Sequence, residues 1–217
     1  MGPLKAAHRT GQGALLVDLD GTLVDSSGAH RLAFERALLE HDLNVEFEYR
    51  QIAGMSSPTA ARALGVPEAK ISEFVETKRS RYLEAVDANE IDEIVGAHKM
   101  VGTATACGWR LALVTSASRG SVQGLSAQFG WLATFEVVVC GDDVASGKPA
   151  PECFQAAVAR LNVPKEACVG IEDSEAGLAA LLAANVAAIR VSGDPAGAGA
   201  DLERIALELR DLGAIGG

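Results

Sequence analysis

The sequence is short of positive charge, has no paired-cysteine spacing and contains no long apolar run, and each lack removes a class of function. Against 29 Asp and Glu stand 19 Lys and Arg, a net charge of −10. The cations gather into no basic stripe able to follow a phosphate backbone, so no nucleic acid partner is expected. An acidic surface still accommodates a local positive pocket, which leaves a small phosphorylated metabolite open as a partner. Cys107, Cys140, Cys153 and Cys168 show no CxxC spacing. The last three lie in or beside segments that read as buried, which describes free core thiols of a reducing compartment. No run approaches 18 apolar residues and the opening "MGPLKAAHRTGQG" has no apolar h-region, so the expectation is a cytoplasmic protein with no membrane partner. There is no internal repeat and no low-complexity tract, and the acidic charge without a coiled-coil seam fits a monomer.

What is present is ordinary for a globular chain. The 217 residues are 48% apolar and 22% charged, enough to bury a full core in one large domain or in a domain with an insert. Short apolar runs alternate with helical patterns. "GALLVD" (13 to 18), "RLALVTS" (110 to 116), "FEVVVCGD" (135 to 142), "ACVGIED" (167 to 173) and "VAAIRV" (186 to 191) are continuous enough to be strands buried on both faces, as in a parallel sheet. Helical patterns fill about 120 to 129, 151 to 161, 174 to 184 and 201 to 211, whereas "SGDPAGAGA" (192 to 200) reads as a flexible loop. The series predicts an α/β fold with a doubly wound, Rossmann-like parallel sheet.

Residues 26 to 98 break that rhythm. They offer no convincing strand, and "HRLAFERALLEH", "SPTAARALGV" and "AKISEFVETKRSRYLEAV" carry helical spacing with charged faces. The stretch is too long for a simple crossover. The expected organisation is an α/β core over 11–25 and 99–217 with a small all-helical domain over 26–98 inserted after the first strand.

In a doubly wound sheet, ligands bind beyond the carboxyl ends of the strands. Asp18, Thr115 with Ser116, Asp142 with Asp143, and Glu172 with Asp173 end four successive strands and therefore converge on one edge. Crowded carboxylates raise one another's pKa unless a cation shares them. Oxygen ligands without a His or Cys companion suit Mg²⁺ better than Zn²⁺. A carboxylate beside Mg²⁺ is a competent nucleophile toward a phosphoryl group. A second carboxylate, Asp20, stands two positions on, where it can act as general acid and then general base. Thr115, Ser116 and Lys148 are donors for the phosphoryl oxygens. Gly21 lets the chain leave the sheet beside the site, and Gly21 and Thr22 are expected among the substrate-binding residues.

"DLDGT" at 18 to 22, "LALVTS" at 111 to 116, "GKPAPECF" at 147 to 154 and "GIEDSEAGLAA" at 170 to 180 resemble, in order and spacing, the four motifs of the haloacid dehalogenase superfamily. The resemblance covers the whole chain. It implies Asp18 as nucleophile, Asp20 as acid/base with its backbone carbonyl on Mg²⁺, and Thr115 as the phosphate-binding hydroxyl. It further implies Lys148 as the cation neutralising nucleophile and phosphate, Asp173 as the metal carboxylate, and Glu172 as the companion acid of the "ED" variant, acting directly or through water. Asp20 separates the chain from the true dehalogenases and the phosphonate hydrolases of the superfamily. The helical insert resembles the family's C1 cap, which closes over the site and selects substrate.

Within the superfamily, "DLDGTLVDSSGAHRLAFERAL" is similar to the opening of β-phosphoglucomutases. His30 falls where those enzymes keep a histidine that assists proton transfer, and it reads either as a substrate contact or as a cap-helix surface residue. The mutase cap also carries a phosphate-gripping arginine. Ser57 stands at that point here, with Arg62 the nearest candidate, and "VTSAS" resembles sugar phosphatases. The reading is a Mg²⁺-dependent phosphatase of small sugar or polyol phosphates, with a phosphosugar mutase and a non-catalytic phospholigand-binding protein as alternatives. Asp25 and Ser26 read as caps of the next helix. Asp142 and Asp143 read as turn residues, one of them able to support Lys148. Arg62, Lys78, Arg79 and Arg81 read as a solvated helix face.

Overall fold

Five of the apolar runs pair side by side in the computed structural model, which describes residues 2–8 and 13–215. Residues 11, 12, 216 and 217, where the expected core begins and ends, lie outside the described residues. The strands are β1 (Ala14–Val17), β4 (Arg110–Val114), β5 (Val137–Val139), β6 (Cys168–Glu172) and β7 (Ala187–Arg190). Their order is β5-β4-β1-β6-β7 with every pairing parallel. Val17 is in register with Leu113 on one side and Ile171 on the other, so the ends of the three central strands are level.

Alternate strand residues feed two cores, which is why these runs are apolar throughout rather than alternating. Leu15, Val17, Leu111, Leu113, Val169 and Ile171 pack on one face with α1 (Pro3–His8), α5 (Ala97–Ala106), α6 (Arg119–Gln128) and α9 (Pro195–Ile215). Ala14, Leu16, Ala112, Val114 and Cys168 pack on the other with α7 (Glu152–Leu161) and α8 (Glu175–Ala183). Each fully buried Leu or Val contributes about 1.5–3 kcal/mol. The expected doubly wound α/β sheet is present.

Between β1 and β4 the chain is mainly helical. α2 (Ser27–Glu40), α3 (Ser57–Ala63) and α4 (Ile71–Asp87) enclose an apolar cluster of their own that includes Phe34, Leu38, Ile52, Ala61, Ile71 and Phe74. The chain leaves and re-enters this segment through a two-stranded antiparallel ribbon, β2 (Val24–Asp25) with β3 (Asp92–Glu93). Strands of two residues leave no periodic trace in sequence, so β3 was not legible there. The reach 192 to 200, composed like a loop, instead enters α9 at Pro195, a residue whose fixed φ suits the first helical turn.

Candidate active site

Asp18 follows β1 and its backbone amide donates to the Ile171 carbonyl at 3.0 Å, so the sheet itself fixes where its carboxylate stands. Lys148 approaches from the loop before α7. Its Nζ donates to Asp18 Oδ1 at 2.5 Å, to Glu172 Oε1 at 2.6 Å and to the Val114 carbonyl at 3.1 Å, which uses all three ammonium hydrogens. Burial alone would lower the Lys148 pKa, but Asp18 and Glu172 outweigh it and hold it above the usual range. Burial raises Asp18 against the opposing pull of Lys148. Glu172 Oε2 accepts from the backbone amide and hydroxyl of Ser174 at 2.8 and 2.9 Å, and Ser174 also caps α8 through the Gly177 amide. A Cβ at Gly177 would lie 1.7 Å from Glu172 Oε1, so only glycine lets α8 begin this close to the carboxylate.

Asp173 completes an acidic group: it, Asp18 and Glu172 each offer one oxygen, all within 4.8 Å of one another. Burial first, then Glu172, pushes the Asp173 carboxyl up to about 7, while Thr22 Oγ1 donates to it at 3.2 Å. Gly21, at φ +84, passes so close that a Cβ would lie 2.5 Å from Asp173 Oδ2. The set is entirely hard carboxylate oxygen, mutually repelling, and fits a divalent cation such as Mg²⁺.

Asp20 faces elsewhere. Its Oδ1 accepts from Ser26 Oγ at 2.6 Å, His30 Nε2 at 3.1 Å and the Tyr82 hydroxyl at 3.3 Å, and its Oδ2 accepts from Thr115 Oγ1 at 3.2 Å. Burial opposes ionisation here, but the His30 ring and Ser26 hydroxyl outweigh it and hold the carboxyl below its ordinary range. Lys78 Nζ lies 2.8 Å from His30 Nδ1. An ammonium can only donate, so Nδ1 accepts and Nε2–H points at Asp20. Burial and then the Lys78 charge lower the His30 pKa. Its ring stacks on Tyr82 with centroids 4.0 Å apart.

A cavity of about 160 Å³ opens over these groups. Asp18, Asp20 and Ser116 line it from the sheet edge, and His30, Phe34, Tyr49, Ile52, Met55 and Val75 from the helical segment. Ser116 Oγ donates to the Gly54 carbonyl at 2.7 Å, and Arg79 lies 3.9 Å from Asp142; both links cross the cleft between sheet edge and helices. Asp142 and Asp143 serve the turn, accepting from the Arg119 amide and from the Cys140 amide, Arg119 and Arg160, and neither touches Lys148.

The sequence model described as haloacid dehalogenase-like hydrolase matches residues 15–191, and that span takes in every group above. The chain belongs to the haloacid dehalogenase-like hydrolases. Protein CbbY of Rhodobacter capsulatus is 33% identical over 186 residues, covering 80% of this chain and 82% of that one. Hexitol phosphatase A of Escherichia coli is 31% identical over 183 residues, 82% of each. Among solved structures, CbbY from Rhodobacter sphaeroides in complex with phosphate matches with TM-score 0.73 at 30% identity, over 84% of this chain and 87% of that one.

In this haloacid dehalogenase-like hydrolase the residues that sequence reading undervalued are Lys78, Tyr82, Ser26 and Tyr49. Lys78 is only 6% exposed, not part of a solvated face. It falls in the buried stripe of α4, Ile71, Phe74, Lys78, Tyr82 and Val86, and a lysine on an apolar stripe is the signal that identifies it. Ser26 precedes α2 without capping it, its hydroxyl being spent on Asp20. Tyr49 opens a single 3-10 turn, Tyr49–Gln51, too short to leave a pattern that marks it.

Proposed function

We propose that this chain is a Mg²⁺-dependent phosphatase of a small phosphomonoester, of sugar or polyol phosphate type, acting through an aspartyl phosphate on Asp18. The observation that carries it is the Lys148 ammonium 2.5 Å from Asp18 Oδ1, in an acidic group at the floor of the cavity. The carboxylates of Asp18 and Asp173, with the Asp20 backbone carbonyl and with Glu172 directly or through water, would hold the cation. Bound there, Mg²⁺ supplies charge neutralisation and polarisation of the phosphoryl oxygens. Asp18 attacks phosphorus and the ester P–O bond breaks, while Asp20 gives its proton to the leaving oxygen. Asp20 then takes a proton from the water that hydrolyses the aspartyl phosphate, returning Asp18 and releasing phosphate. The four donors that keep Asp20 ionised in the resting site must loosen so that its carboxyl takes up, from the substrate phosphate or from solvent, the proton that it then gives to the leaving oxygen, and this also frees the Thr115 hydroxyl for a phosphoryl oxygen. Lys148 offsets, and Ser116 hydrogen bonds, the remaining negative charge on the phosphoryl oxygens. The helices of 26–98 serve as the cap that excludes water.

His30 on Asp20 favours a second reading, a phosphosugar mutase in which the phosphoryl group returns to a sugar. Against it, Arg62, the arginine nearest in sequence to the point where the mutases keep their second phosphate anchor, pairs with the exposed Glu68 at 2.7 and 3.0 Å and lies outside the cavity lining. The test is a panel of small phosphomonoesters that includes β-glucose 1-phosphate with a trace of its bisphosphate, assayed for free phosphate and for glucose 6-phosphate. Free phosphate is expected, lost in Asp18→Asn and on chelation. Glucose 6-phosphate alone would make the chain a mutase, and activity in Asp18→Asn would refute the aspartyl phosphate.

A further inference from the structure

The wall of the cavity opposite the carboxylates is largely apolar, with Phe34, Ile52, Met55 and Val75 on it. Most of the lining hydroxyls are already engaged: Tyr82 on Asp20, Ser116 on Gly54, Ser118 with Ser121, and Ser56 with Thr59. Tyr49 is different. It is half-buried, it lines the cavity beside Asp18 and Asp20, and its ring runs nearly parallel to that of His30, 6.5 Å away at 11°. Among the described residues its hydroxyl has no hydrogen-bond partner. Ser57 shares that last property, but only Tyr49 places a ring alongside that of His30 as well. Burial and then the charges of Asp20, Asp173 and Asp18 push its ionisation far above the ordinary range, so the phenol is a neutral group with a proton to donate.

We infer that the Tyr49 hydroxyl selects the organic half of the substrate by hydrogen bonding a neutral oxygen, a hydroxyl or carbonyl, close to the ester. Rigid aromatic placement makes such a contact specific at little entropic cost, because the ring turns on two torsions only. A polar group desolvated by a closing site without a partner is costly, so a substrate lacking that oxygen is penalised. The neutral phenol cannot pair the charge of a second anion, and burying an unpaired charge is costly. The inference rests on the phosphatase reading and narrows it to phosphomonoesters bearing a neutral oxygen.

The probes are glycerol 1-phosphate, propyl phosphate of similar size without hydroxyls, and 2-phosphoglycolate, which carries a carboxylate. With Mg²⁺ the wild-type protein is expected to favour glycerol 1-phosphate over propyl phosphate by about tenfold in kcat/KM, the worth of one hydrogen bond. Tyr49→Phe should bring that ratio to about one, by slowing glycerol 1-phosphate and by relieving the penalty on propyl phosphate, with Tm unchanged since the hydroxyl supports no protein contact among the described residues. Equal wild-type rates on the first two esters would overturn the inference. So would a Tyr49→Phe variant that keeps the preference or slows both equally, and so would higher kcat/KM on 2-phosphoglycolate. Any of these results would leave the phosphatase reading standing, whereas no phosphate release from all three by the wild-type protein would overturn both together.

Discussion

Lys148 Nζ stands between Asp18 Oδ1 at 2.5 Å and Glu172 Oε1 at 2.6 Å, and the two carboxylates are 5% and 0% exposed. Three charges this deeply buried stay together because each satisfies another, and removing one leaves the rest uncompensated. Lys148→Met therefore costs about 3–5 kcal/mol of stability, read by urea unfolding in the presence of chelator, together with loss of phosphatase activity. A cost below about 1 kcal/mol, the scale of an exposed pair, would mean that the ammonium is not what holds the two carboxylates.

Gly177→Ala sets a helix gain against a steric loss. Alanine is favoured over glycine inside a helix by about 1 kcal/mol, yet its Cβ would stand 1.7 Å from Glu172 Oε1 and 2.0 Å from Glu172 Cδ. Overpacking costs about 1–3 kcal/mol, and displacing Glu172 from Lys148 and Ser174 sacrifices charged hydrogen bonds worth about 1.5–3 kcal/mol each. The loss wins, so thermal unfolding should show a variant at least about 2 kcal/mol less stable and with impaired turnover. A stabilised variant would show that α8 can retreat from the carboxylate.

The sheet and its acidic edge were legible because both are written locally. A strand buried on two faces is a continuous apolar run, and a residue that follows such a run lies at the carboxyl edge whatever the rest of the fold does. Asp18, Glu172 and Asp173 came together for that reason, whereas Lys148 reaches them from the loop before α7. The second network did not announce itself in the same way. Asp20 meets Ser26, His30, Tyr82 and Lys78 only because α2 and α4 cross above the sheet, and a helix pattern tells which residues are buried but not what they are buried against. His30 and Lys78 both lie on buried stripes, so the reading of Lys78 as part of a solvated face fails on a stripe that is visible in the sequence, whereas the partnership of the two is not visible there. The Tyr49 hydroxyl is legible only from the cavity, since nothing in the order of residues around it is periodic.

Asp173 gives the site a pH signature that depends on the cation. Without one, burial and then Glu172 raise its carboxyl from 3.8 to about 7, so between those values the folded protein keeps a proton that the unfolded chain has released. The folded state then binds more protons, and stability falls as pH rises through this window. Taken alone, the span is worth at most about 4 kcal/mol, and less because neighbouring carboxylates titrate with it. Mg²⁺ binds the deprotonated carboxylate, so its stabilising effect grows over the same range and binding releases protons. Unfolding measured from pH 5 to 8 should show wild-type stability falling with pH in chelator and the fall removed by Mg²⁺. Asp173→Asn has no proton to lose there, so its profile should be flatter in chelator and little changed by Mg²⁺. An Asp173→Asn profile that matches the wild type in both conditions would remove Asp173 from the cation site and leave Asp18 and Glu172 to hold it.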